Sequence, residues 1–121
     1  MLLLALIFGC GGGGPQVAPV KGRVTLDGRP LEHADVMFQP AGSQRPSVGR
    51  TDAEGLYELV YKRGQPGAIV GEHTVRINVS PELVANPPRI PARYDTQSEL
   101  RVEVVPGEEN VFNFDLESGN E

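Results

Sequence analysis

The stretch Val20-Lys21-Gly22-Arg23-Val24-Thr25-Leu26-Asp27-Gly28 decides the fold. Val20, Gly22, Val24 and Leu26 occupy even positions, and the polar Lys21, Arg23 and Thr25 occupy odd ones. A period of two marks a strand with one dry face and one wet face. Asp27-Gly28 then predicts a hairpin turn, because a two-residue primed turn needs positive φ at both centres. The same alternation continues outward. Ala34, Val36 and Phe38 alternate with Asp35, Met37 and Gln39, and Tyr57, Leu59 and Tyr61 share one face beyond the turn Asp52-Ala53-Glu54-Gly55. His73, Val75, Ile77 and Val79 oppose Thr74, Arg76 and Asn78, and Leu100, Val102 and Val104 oppose Arg101 and Glu103. After Pro106-Gly107, Phe112, Phe114 and Leu116 oppose Val111, Asn113 and Asp115. Nowhere does apolar spacing hold a 3.6-residue period over a helix length. The expectation is an all-β domain whose dry faces pack as a sandwich, with Phe38, Val75, Val102 and Phe114 buried, and Arg76 and Asn113 facing outward.

Composition agrees with that class. Of 121 residues 39% are hydrophobic, enough for one modest core, and Gly 15 with Pro 11 favours short strands joined by turns. A net charge of -5, with the Arg and Lys scattered along the chain, argues against a nucleic-acid partner, which demands a basic face.

Ahead of the body, Leu2 to Phe8 form an uncharged apolar run ending at Gly9 and Cys10, and Gly11 to Gly14 follow. Such a run fits the core of a secretory signal and is too short to span a bilayer, which takes roughly 20 residues. Ile7-Phe8-Gly9-Cys10 resembles the lipobox of bacterial lipoproteins, where cleavage precedes a cysteine that is then acylated. The resemblance implies an exported protein, lipid-anchored in the cell envelope on its periplasmic or outer-surface side. The expected division is a signal peptide at 1–9, lipidated Cys10 with a glycine-rich spacer at 10–18, one domain at 19–117 and a tail at 118–121. As the sole cysteine, Cys10 excludes an internal disulfide.

Val20 to Val24, Asp27-Gly28-Arg29-Pro30-Leu31, Ala34-Asp35-Val36, Thr51 to Tyr57 and Gly71-Glu72-His73-Thr74-Val75 together resemble the carboxypeptidase-regulatory-like domain. That family belongs to the transthyretin-like (prealbumin-like) sandwiches. Ile90-Pro91-Ala92-Arg93-Tyr94, Glu99 to Val104 and Asn113 to Leu116 are similar to small bacterial lipoproteins built on it. The resemblance implies a Greek-key sandwich of seven or eight strands that serves as a non-catalytic binding or structural module.

Residues with chemistry to offer are few. His33 stands in a loop near Glu32 and Asp35, and His73 opens a strand on its apolar face, where an imidazole at the core edge is the commoner outcome. Asp52-x-Glu54-Gly55 reads as turn chemistry before it reads as a calcium loop. Tyr57, Tyr61, Tyr94, His33 and His73 suffice in number for a two-tyrosine, two-histidine iron set, but no iron-enzyme motif surrounds them. The transthyretin-like hydrolases end in Tyr-Arg-Gly-Ser, and this chain ends Gly119-Asn120-Glu121. With Trp 0, an aromatic platform for sugar is not evident, so a carbohydrate-binding accessory module stands second and an enzyme third. The residues assign no cofactor, no metal ligand and no small-molecule substrate.

One long connection remains, from Pro81 to Ser98, stiffened by Pro81, Pro87, Pro88 and Pro91. Long loops in compact domains are often functional. This one carries Arg89, Arg93 and Tyr94, residue types favoured as interface anchors, within an acidic protein. The expectation is that the arginines help dock an acidic envelope partner, while Ile90 and Tyr94 pin the loop across a sheet edge.

Overall fold

The structure, a computed structural model, describes residues 15–119; Cys10 and the signal segment lie outside the described residues. The strands are β1 (Val17–Ala18), β2 (Val20–Leu26), β3 (Arg29–Pro30), β4 (Ala34–Pro40), β5 (Ser47–Arg50), β6 (Leu56–Glu58) and β7 (Val60–Lys62). They continue as β8 (Gln65–Pro66), β9 (Ala68–Ile69), β10 (Gly71–Val79), β11 (Arg101–Val104), β12 (Asn110–Val111) and β13 (Phe114–Leu116). A single 3₁₀ turn, Ala92–Tyr94, interrupts the long connection.

Alternation translates directly into burial. In β4, Ala34, Val36, Phe38 and Pro40 are buried while Asp35, Met37 and Gln39 are half-exposed. The larger sheet has the order β11-β10-β4-β5-β7-β8. The return of β10 beside β4, after β5 and β7, is the Greek-key order. The smaller sheet of the sandwich, five-stranded, is centred on β2, and β1 with β9 forms a separate two-stranded ribbon. β3 and β6 pair with it antiparallel, and β12 and β13 pair with it parallel at one constant register. The two sheets meet at Phe38, whose ring lies 5.9 Å from Phe112 and 6.4 Å from Phe114. The protein is an all-β sandwich. Its hairpin turn is as expected, with Asp27 at φ 53 and Gly28 at φ 83.

Among the described residues the extended runs divide into thirteen short strands, because they change partners midway. Leu56 to Lys62 is one such run. Its first part pairs with β2 and its second with β5. At the crossing, Leu59 donates its N–H to Val20 (3.0 Å) and accepts from Gly67 (2.7 Å), so the fully buried residue loses no backbone bond.

Three expectations need correction. The spacer assigned to 10–18 ends sooner: Val17 and Ala18 pair with Ile69 and Ala68, and the Gln16 carbonyl accepts from Val70 (2.9 Å). Within the tail at 118–121, Ser118 bonds Asp27 through both N–H and hydroxyl. Val102 is half-buried, because β11 is an edge strand covered on one side only, whereas Phe38, Val75 and Phe114 are buried as expected.

Candidate functional site

Two surface features carry residues with binding chemistry: the long connection and a groove over the smaller sheet. The connection acts as a strap. β11 pairs with Gly71 to Thr74 of β10 and Val75 N–H donates to the Leu100 carbonyl at 2.9 Å, so that beyond Val75 no strand flanks β10 on this side. The strap fills the gap. Ser98 donates its hydroxyl to the Val75 carbonyl, and Asp95 receives Arg76 Nε at 3.1 Å and Asn78 Nδ2 at 3.1 Å.

Its other end grips the smaller sheet. The Arg93 guanidinium stacks 4.8 Å from the centre of the Tyr94 ring and donates to the Glu117 carbonyl at 2.8 Å. The Tyr94 hydroxyl accepts from Glu117 N–H at 3.1 Å. Together these two side chains bond both backbone groups of Glu117, as a neighbouring strand would. Ile90 and Tyr94 pack against the core. Arg93 and Tyr94 are half-buried, and Arg89 is exposed. The structure therefore draws Arg93 and Tyr94 together at Glu117.

The groove has a different origin. Gly22 faces inward, and a Cβ there would stand 1.8 Å from the Phe112 carbonyl oxygen. That oxygen occupies the gap and accepts from the Tyr57 hydroxyl at 2.6 Å. In a regular parallel ladder, the same carbonyl would accept from Arg23 N–H. The Asn113 side chain takes its place, its Oδ1 accepting from Arg23 N at 2.9 Å. Alternation places Asn113 on the outer face and says nothing more of it. It is outward, yet it substitutes for a main-chain acceptor, and unbroken alternation through Phe112-Asn113 gives no sign of this.

Above this rotated peptide lies a groove of about 720 Å³ on the outer face. Across the strands it reads Val111–Lys21–Glu58 and then Asn113–Arg23–Leu56, with Arg50 and Asp52 beside Leu56. Lys21 faces Glu109 at 3.5 Å, and Arg50 is held on Asp35 at 2.9 Å. Among the described residues the Arg23 side chain has no ion pair. Val111 and Leu56 are 54% and 41% exposed, so the polar centre has apolar flanks.

Elsewhere, titratable groups serve the fold. The Asp52 carboxylate accepts from Glu54 and Leu56 N–H, which is turn chemistry. His73 is buried and donates Nε2–H to the Ile69 carbonyl at 2.7 Å, while its Nδ1 has no partner. His33 is exposed at φ 65 and lies 3.4 Å from Glu32. Hydrogen bonds from Ser118 hold the Asp27 carboxyl below its ordinary range, and burial pushes the Tyr57 phenol well above its own. Among the described residues no group of three or more His, Cys, Asp or Glu is arranged for a metal.

No family model and no curated protein matches the chain. Among solved structures it is similar to the crystal structure of a DUF3823 family protein from Parabacteroides merdae ATCC 43184, with a TM-score of 0.51 and 14% identity. The match covers 84% of this chain and 46% of that one. At that identity the likeness bears on the fold alone.

Proposed function

We propose that this chain is a non-catalytic, lipid-tethered binding or structural module of a bacterial cell envelope, built on a carboxypeptidase-regulatory-like sandwich. The observation that carries the non-catalytic part is how the reactive side chains are employed. The Tyr57 and Tyr94 hydroxyls, His73 Nε2 and the Asp52 carboxylate each bond backbone groups. The tether rests on the apolar run, Cys10 and the glycines behind it. Gln16, which makes the first backbone bond described, follows Cys10 by six residues, so an acylated Cys10 would hold the sandwich within about 20 Å of the bilayer. On this reading Arg89 and Arg93, with Tyr94 beside them, help dock an acidic envelope protein.

Mass spectrometry of the membrane fraction tests the tether. The expected N-terminal peptide begins at a modified Cys10; a soluble product keeping Met1, or a free thiol at Cys10, overturns it. Pull-down from detergent-solubilised membranes with Arg89→Glu and Arg93→Glu tests the docking face. A melting curve must accompany it, because Arg93 also holds Glu117. Lost partners with unchanged melting support docking, and unchanged partners return the strap to a purely structural role.

A further inference from the structure

We propose that the groove over the smaller sheet binds a carboxylate, held between the Asn113 amides and the Arg23 guanidinium. The argument begins with peptide geometry. In a trans peptide the C=O and the following N–H point in opposite directions, and the described residues contain no cis bond. Because the Phe112 carbonyl is turned into the core, the Asn113 N–H is turned to the outer face. It has no hydrogen-bond partner among the described residues. Asn113 Oδ1 is engaged by Arg23 N–H, which fixes the side-chain amide and leaves Nδ2 to donate. The neighbouring Arg23 side chain is the cation of this groove without an ion pair among the described residues.

These donors suit one class of ligand. A guanidinium fork matches the two oxygens of a carboxylate, and the amide N–H groups complete its lone pairs. Leu56 lies opposite Arg23 in register, and with Val111 it gives the polar centre exposed apolar flanks against which the ligand's carbon skeleton can pack. Asp52 and Glu58 also line the groove and would repel a more highly charged phosphate. The site depends neither on the anchor nor on the strap arginines. The carboxylate could belong to a small free acid or to an Asp or Glu side chain of a partner.

The test uses the ¹⁵N-labelled full chain in zwitterionic detergent. It is titrated with sodium acetate, and separately with a Gly-Glu-Gly peptide blocked at both ends, each against sodium chloride at equal ionic strength. Saturable shifts of the Asn113 backbone and side-chain amide signals are expected. Arg23→Gln should weaken them about tenfold or more, whereas Arg101→Gln on the other sheet should leave them unchanged. Arg23→Lys keeps the charge and removes the fork, and should weaken binding as well. Tighter binding of the peptide points to a partner's acidic side chain; equal or weaker binding points to a small acid. Asn113 signals that merely follow ionic strength, or an Arg23→Gln variant that binds like the parent at an unchanged melting temperature, overturn the site.

Discussion

Tyr57 joins the interior to the surface through a single hydroxyl. Its ring packs beside the gap at Gly22 that the Phe112 carbonyl oxygen occupies, and its bond to that carbonyl sets the rotation from which the Asn113 arrangement follows. Tyr57→Phe leaves that carbonyl without its partner and should cost about 1–2 kcal/mol in urea unfolding. The pH dependence has a defined sign. Burial raises the folded phenol above its ordinary value of 10.0, so the neutral form is favoured in the fold. The associated stability is therefore intact below pH 10 and declines as pH rises beyond it. The parent should lose stability faster than Tyr57→Phe above that point; parallel curves from pH 7 to 11 would contradict the assignment. At this scale the sequence was half legible. Alternation put Tyr57 inside and Asn113 outside, but a period of two records which side a residue faces, not whether its peptide has turned.

Among the elements, the strap is the one whose role the composition signalled and whose mechanism it concealed. Four prolines and an odd length marked Pro81 to Ser98 as special. The residue that seats it, Asp95, carries no such mark, since one carboxylate in an acidic chain is unremarked until Arg76 and Asn78 are found facing it. Its side chain is 20% exposed against Arg76, more sheltered than an ordinary surface pair. Asp95→Ala should cost about 1 kcal/mol or somewhat more. Hydrogen exchange should then quicken over residues 81–98 and leave β4 unchanged. Uniform quickening would instead mean that the strap opens only with the whole domain. The crossing at Leu59 was hidden for a related reason. Tyr57, Leu59 and Tyr61 keep one face buried throughout, so the pattern looks the same whether the run stays in one sheet or changes to the other.

For the molecule as a whole, Phe38 is the meeting point, with His73, Phe112 and Phe114 around its ring. Phe38→Ala should cost about 3–5 kcal/mol, a large share of a small domain's stability, measured by denaturant or thermal unfolding. A loss below 1 kcal/mol would mean that the sheets do not close on this ring. The two-layer architecture could be read from the sequence because every dry strand face requires a cover. The parallel pairing of β13 with β2 could not, because register between residues about ninety positions apart leaves no local trace. That pairing has a mechanical consequence. β2 leaves the end where the chain enters, and β13 runs alongside it to finish by Asp27 at the far end. Tension between an anchored N-terminal end and a grip near Glu117 would slide the two strands along each other. The bonds from Asn110 to Pro19, Phe112 to Lys21 and Asp27 to Leu116 would then be stretched together rather than unzipped one by one. A domain pulled in shear resists force through the height of its unfolding barrier, not through its equilibrium stability.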